Sequence, residues 1–204
     1  LVAKRKLRYI ESKCFSNFID IGVPESLEEA KQKFALWYEK PAIFWDRDNT
    51  LIQDEGYVHQ IDDLVWKDGA LDSLAYLSKS GYRNFIVTNQ SGIARGLYSE
   101  DKMHLFHQQM VSDVIEMGGF IDYISFCPHH PEFSKPNVQV CVCRKPNTGM
   151  LEKLTKIFPT RLESSYLIGD KQSDINAANK FGIKSILINP DLNIQTNLKE
   201  LLSC

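Results

Sequence analysis

Ala42-Ile43-Phe44-Trp45-Asp46-Arg47-Asp48-Asn49-Thr50-Leu51-Ile52 is an apolar run that ends in two carboxylates with one residue between them. Side chains along an extended chain repeat with period two, so Asp46, Asp48 and Thr50 are expected to face the same way. Two carboxylates held together repel, and a site that keeps both charged needs a cation between them. A strand that simply ends in a polar turn fits this stretch equally well. The rest of the chain has to decide.

Working outward, apolar runs alternate with helix-like segments. The strand candidates are Ala42–Trp45, Asn84–Thr88, Tyr123–Cys127, Tyr166–Ile168 and Ser185–Ile188. They are apolar without alternation, as expected when both faces of a sheet are covered. Helices are expected over 68–80, 99–117, 147–157 and 172–181. In the second, Met103, Phe106, Met110 and Val114 recur at helical spacing behind a Ser99 cap and read as core rather than as a cofactor box. The pattern gives an α/β fold: a three-layer, Rossmann-like parallel sheet with helices on both faces, right-handed crossovers and no large cap domain. The loop over 51–66 is short, so the site is expected to be fairly open.

The chain has 204 residues, 43% of them hydrophobic and 25% charged, with a formal net charge of -2. That size suits one well-buried domain, or one domain plus an appendage. The charge argues against nucleic acid or a membrane surface as partner. No run approaches the roughly 20 apolar residues of a membrane span. The basic start, Leu1-Val2-Ala3-Lys4-Arg5-Lys6-Leu7-Arg8, lacks the apolar core of a signal peptide. Residues 1–40 read as an N-terminal extension to a catalytic unit over 41–204, with a capping box at Ser26 and Glu29 and a helix through Ala30, Phe34 and Leu36.

In parallel α/β sheets ligands bind beyond the carboxyl ends of the strands. The first strand delivers Asp46 and Asp48 there. The second delivers Thr88, Asn89, Gln90 and Ser91, and the fourth Asp170 and Lys171 with Asp174 beyond them; Lys145 precedes a helix. Asp46, Asp48 and Asp170 form a hard oxygen set suited to Mg²⁺. Thr88 and Lys145 can hold phosphoryl oxygens, Asp46 can attack phosphorus, and Asp48 can protonate the leaving oxygen and later activate water.

Of five cysteines, three lie between Cys127 and Cys143. Cys127, His129, Cys141 and Cys143 make a complete tetrahedral set with no open position, which reads as structural Zn²⁺ in a reducing, cytoplasmic compartment. His130 is the competing imidazole. Cys14 and Cys204 read as free thiols.

Asp46-x-Asp48-x-Thr50, Thr88, Lys145 and Gly169-Asp170-x-x-x-Asp174 resemble the four motifs of the haloacid-dehalogenase (HAD) superfamily of phosphatases. The resemblance spans about residues 42–190. It implies Asp46 as nucleophile, Asp48 as acid/base, and magnesium on Asp46, Asp170 and the Asp48 carbonyl. That superfamily has Gly after the second aspartate, where this chain has Asn49. Asn tolerates left-handed backbone angles best among the other residues, so the turn is expected to persist, with room for a slower turnover.

Asp54-Glu55-Gly56-Tyr57-Val58-His59, Thr88-Asn89-Gln90-Ser91-Gly92-Ile93-Ala94-Arg95-Gly96 and Cys127-Pro128-His129-His130-Pro131 resemble the heptose bisphosphate phosphatases within it. That implies removal of the 7-phosphate of a heptose 1,7-bisphosphate, in the supply of activated heptose for lipopolysaccharide or another surface glycan. It also implies substrate contacts at Asp54, Glu55, Gly56 and Tyr57, at Thr88, Asn89, Gln90 and Ser91, and at Arg144, Lys145 and Lys171. A second phosphate needs a second cation, and Arg144 can fork onto it. Arg95 reads as a surface residue and His59 as loop packing. Two rivals share parts of the pattern: a histidinol-phosphate phosphatase, and a non-catalytic phosphatase-like module. The second gains from Phe18-Ile19-Asp20-Ile21-Gly22-Val23-Pro24-Glu25-Ser26-Leu27, which resembles the tail of a sugar-phosphate nucleotidyltransferase and makes the chain part of a fusion. An ordinary strand-turn-helix extension is the competing reading of that stretch.

Overall fold

The computed structural model describes residues 38–135 and 141–188, together with Asn193, Ile194 and Leu198. The capping box at Ser26, the nucleotidyltransferase-like tail, Cys14 and Cys204 lie outside the described residues. The chain divides into two units, Leu1–Tyr38 and Glu39–Cys204. The sheet and its helices belong to the second.

Five strands form one sheet: β1 (Ala42–Trp45), β2 (Arg83–Asn89), β3 (Tyr123–Cys127), β4 (Tyr166–Gly169) and β5 (Lys184–Leu187). Their order is β3-β2-β1-β4-β5, and every pairing is parallel. Four helices connect them: α1 (Ala70–Lys79), α2 (Glu100–Glu116), α3 (Gly149–Ile157) and α4 (Gln172–Phe181). Ser99 caps α2 as expected, its hydroxyl accepting from the Lys102 N–H at 3.3 Å.

The period-two alternation of β1 sorts the core. Ile43 and Trp45 pack with Leu74 and Leu77 of α1 and with Phe106 and Met110 of α2. Ala42 and Phe44 point the other way, onto Met150 and Leu154 of α3 and Ala177 and Ala178 of α4. The helices therefore change face where strand addition reverses direction, as it must if every crossover keeps one hand. That reversal falls between β1 and β4, which places a crevice beyond Trp45 and Gly169. Asn84, a buried polar residue at the start of β2, is satisfied by the Trp45 indole N–H at 3.0 Å, the Leu74 carbonyl at 3.1 Å and Ser78 Oγ at 3.0 Å.

Among the described residues, the expected strands and helices differ from the observed ones only at their ends, and the helix expected through Ala30, Phe34 and Leu36 lies outside them. β5 begins one residue early, at Lys184, because its ladder to β4 starts at Tyr166 opposite Lys184. α3 begins at Gly149 because Asn147 closes a turn onto the Arg144 carbonyl at 2.7 Å. Among the described residues no helix is long and apolar enough to cross a membrane.

Candidate active site

β1 ends at Trp45, and the Asp46 N–H still donates to the Ile168 carbonyl at 2.8 Å. The Asp46 side chain therefore stands at the rim of the crevice. Lys145 reaches it from the segment before α3. The residue is only 3% exposed, and its ammonium lies 2.6 Å from Asp46 Oδ1, 2.6 Å from Asp174 Oδ1 and 2.6 Å from the Val87 carbonyl. Asp46 and the Val87 carbonyl accept hydrogen bonds from it, and Asp174 pairs with its charge. Asn89, at the end of β2, grips the Lys145 main chain from both sides: its Oδ1 accepts from the Lys145 N–H at 3.0 Å and its Nδ2 donates to the Lys145 carbonyl at 3.1 Å.

Asp174 sits in the first turn of α4. Its Oδ2 accepts from the Lys171 N–H at 3.1 Å, and a Cβ at residue 169 would overlap its carboxylate, so Gly169 is needed for this close approach. Asp46, Asp170 and Asp174 bring one oxygen each within 4.8 Å of one another. Burial pushes Asp46 up from the usual carboxylate range, with Lys145 opposing and Asp174 reinforcing the shift. Burial, then the charge of Asp46, raises Asp170 to about 6. Burial pushes Lys145 down, but the two carboxylates outweigh it and hold the ammonium above its usual range. Asp170 Oδ1 is buried without a hydrogen-bond partner. An orphaned carboxylate oxygen among crowded carboxylates fits a hard divalent cation.

Asp48 faces the same crevice. Its Oδ1 lies 2.6 Å from Arg47 Nε and its Oδ2 accepts from Gln90 Nε2 at 2.9 Å. Gln90 Nε2 also donates to Thr88 Oγ1 at 2.8 Å, which leaves the Thr88 hydroxyl hydrogen free to point elsewhere. Burial raises Asp48, against the opposing charge of Arg47. Asn49 takes a φ of 60°, so the left-handed turn expected of Gly persists. Its Oδ1 also accepts the Asp54 N–H at 3.2 Å, a bond that Gly cannot make. Asn49→Ala is expected to lose about 1 kcal/mol in chemical unfolding, because a Cβ without a local hydrogen bond resists that angle. Asn49→Gly is expected to stay within about 0.5 kcal/mol of the parent, the backbone relief offsetting the lost bond. An equal loss in both variants would assign the effect to the side chain alone.

A cavity of about 330 Å³ opens beside these groups. Asp48, Asp54, Gly56, Tyr57, Asn89, Ser91, Arg144, Lys145 and Lys171 line it. Tyr98 and Ser173 also line it; neither is expected from the sequence, since nothing local marks them. Three residues expected to touch substrate, Glu55, Thr88 and Gln90, stand apart from the cavity lining, and Thr88 is fully buried. Glu55 is exposed, and the Gln90 side chain is buried with its amide spent on Asp48, Thr88 and Tyr98. Arg95 departs from the surface role expected of it. It is half-buried, 4.1 Å from the Phe133 ring centroid and 3.1 Å from His130 Nε2. His59 stacks on Tyr98 with ring centroids 4.6 Å apart.

The thiol set also assembles. Cys127, His129, Cys141 and Cys143 bring one donor atom each within 4.8 Å, with Sγ–Sγ distances of 3.1 and 3.5 Å and Sγ–Nδ1 distances of 3.4 and 3.8 Å. A tetrahedron of Zn–S and Zn–N bonds has edges of about 3.5 to 3.8 Å. The hydrogen bond between Cys143 and Cys127 pulls Cys143 down to about 5 and pushes Cys127 up, so that one thiol of the pair leans toward the thiolate that binds metal. His130 turns away to Arg95. The His129 carbonyl accepts from Arg144 Nη1 at 3.1 Å, tying the thiol set to the cavity wall.

Comparison with known proteins agrees with this geometry. Residues 142–200 match the HAD-hydrolase-like family. The chain is 40% identical over 150 residues to the D-glycero-beta-D-manno-heptose-1,7-bisphosphate 7-phosphatase of Photorhabdus laumondii, covering 72% of this chain and 80% of that protein. It is 42% identical over 139 residues to the enzyme of the same name from Escherichia coli, covering 68% and 73%. A crystal structure of D,D-heptose 1,7-bisphosphate phosphatase from B. bronchiseptica, complexed with magnesium and phosphate, superposes with a TM-score of 0.65 at 31% identity over 72% of this chain and 79% of that one. A HAD-like phosphatase from Mesorhizobium loti gives 0.73 at 29% identity over 81% and 85%. The chain belongs to the heptose-1,7-bisphosphate 7-phosphatase family of HAD-like hydrolases.

Proposed function

We propose that residues 41–204 remove the 7-phosphate of a heptose 1,7-bisphosphate through a phosphorylated Asp46. The observation that carries this reading is the buried Asp46–Lys145 pair at 2.6 Å, beside Asp170 and facing Asp48 and Thr88. Asp46 attacks phosphorus and the bond to the sugar oxygen breaks. Asp48 gives that oxygen a proton, and burial, which raises its pKa, suits it to arrive protonated. Asp48, now ionised, takes a proton from water as the water oxygen attacks the phosphorylated Asp46. Inorganic phosphate leaves and both carboxyl groups are restored. Lys145 supplies positive charge beside the attacked phosphorus, and Thr88 has a free hydroxyl hydrogen for a phosphoryl oxygen.

Asp46, Asp170 and the Asp48 carbonyl would hold Mg²⁺, and the orphaned Asp170 Oδ1 supports that assignment. Bound there, the ion would neutralise phosphoryl charge. Cys127, His129, Cys141 and Cys143 would hold a structural Zn²⁺. Arg144, fixed at one nitrogen to the zinc loop, is suited to fork onto the distal phosphate. Asp54, Gly56, Tyr57, Asn89, Ser91 and Lys171 would surround the sugar.

Phosphate release is measured with magnesium on a panel containing heptose 1,7-bisphosphate, histidinol phosphate and other sugar phosphates. The kcat/KM for the heptose bisphosphate is expected to exceed that for histidinol phosphate by at least about 100-fold, because a pocket built for a second phosphate is left unpaired by a ligand that lacks one. A preference for histidinol phosphate, or no release from any compound, would overturn the reading.

A further inference from the structure

Arg47, the residue between the two aspartates, is a fully buried cation with 0% exposure. A buried guanidinium is costly unless its charge and its donors are met. Here each nitrogen has its own partner. Nε lies 2.6 Å from Asp48 Oδ1, Nη1 lies 3.2 Å from His107 Nε2, and Nη2 donates to the Val58 carbonyl at 3.0 Å. The flat face lies over Phe106, 5.0 Å from its centroid. Burial holds His107 at a pKa of about 3, so its ring is neutral and Nε2 can accept from the guanidinium. Gln90 takes the other oxygen of Asp48, and Tyr98 OH donates to Gln90 Oε1 at 2.6 Å, which turns the amide nitrogen toward the carboxylate. Gly92 permits this, because a Cβ there would overlap the Tyr98 ring.

Both Asp48 oxygens are thus held by Arg47 and Gln90, neither of which lines the cavity. We propose that Arg47, anchored by His107, is a positioning residue that fixes the Asp48 carboxyl group in the one orientation from which it can protonate the leaving oxygen. The proposal rests on the mechanism above and adds what holds its acid in place. A planar fork pinned at three points allows less rotation than a lysine ammonium would.

The test compares two leaving groups. A sugar alkoxide must be protonated as it departs, whereas p-nitrophenolate leaves as a stable anion. kcat/KM covers only the steps through transfer to Asp46, so it isolates that proton from the later activation of water. In Arg47→Met, kcat/KM for the sugar phosphate is expected to fall about 100-fold or more, the scale of general-acid catalysis. The fall for p-nitrophenyl phosphate is expected to be at least about ten times smaller. His107→Leu, which leaves Asp48 and Arg47 in sequence, is expected to show the same leaving-group bias at a smaller size. His107→Gln, which restores an acceptor, is expected to recover most of it. Equal losses for both esters in Arg47→Met and in His107→Leu would assign Arg47 a merely structural role and overturn the proposal. If Arg47→Met does not fold, the two His107 variants decide it by the same ratio. Asp48→Asn serves as reference. An inactive parent protein, or an Asp48→Asn variant without the bias, would instead count against the mechanism itself.

Discussion

Asp46→Asn is expected to lower magnesium-dependent turnover by at least about 10⁴-fold, because the amide cannot form the covalent intermediate that divides the reaction into two steps. The fold should survive. Lys145 keeps Asp174 and the Val87 carbonyl after the change, so its charge stays paired. Asp46 is a carboxylate that burial disfavours, with Asp174 pushing the same way. Removing that charge relieves repulsion in metal-free protein, and the melting temperature is expected to stay within about 3 °C of the parent or to rise. Magnesium should stabilise the parent by mass action and the variant less, since one of its ligands is lost. Calorimetry with and without magnesium, alongside the phosphate assay, measures both effects. A variant that keeps full turnover would remove Asp46 as nucleophile.

Cys143→Ser is expected to release the zinc and lower the melting temperature by roughly 6–12 °C, the scale of about 3 kcal/mol in a domain of this size. Activity should fall with it. The last thiol of the set is followed directly by Arg144 and Lys145, and Arg144 is tied back to the His129 carbonyl. Without the metal, the segment that carries both cations loses its anchor on one side, although Asn89 still holds the Lys145 main chain. Metal analysis and thermal melts also separate the two imidazoles. His129→Asn is expected to lose zinc, whereas His130→Asn keeps it, because His130 is engaged with Arg95. A Cys143→Ser protein with full zinc and an unchanged melt would end the structural-site reading.

The sequence by itself determined the parallel α/β sheet and the end of β1 as its focal point. Unbroken apolar runs, helix-period stripes and the Asp46-x-Asp48 spacing are local patterns, and local patterns survive in one dimension. Thr88, Lys145 and Asp170 could be placed at the same rim because a parallel sheet brings all its strand ends to one edge. Three sulfurs and an imidazole in one short window likewise needed no fold to be noticed. What only the tertiary structure decided are partnerships between side chains far apart in the chain. These include Asp174 closing on Lys145, Asn89 gripping the same lysine, Arg95 stacking on Phe133 rather than facing water, and Gln90 spent on Asp48 and Thr88 rather than on substrate. Arg47 is the clearest case. Between two aspartates it reads as an anonymous spacer. Only the packing of α2 brings His107 and Phe106 over it, because the direction of a side chain and the groups that meet it are set by helix placement and not by spacing along the chain.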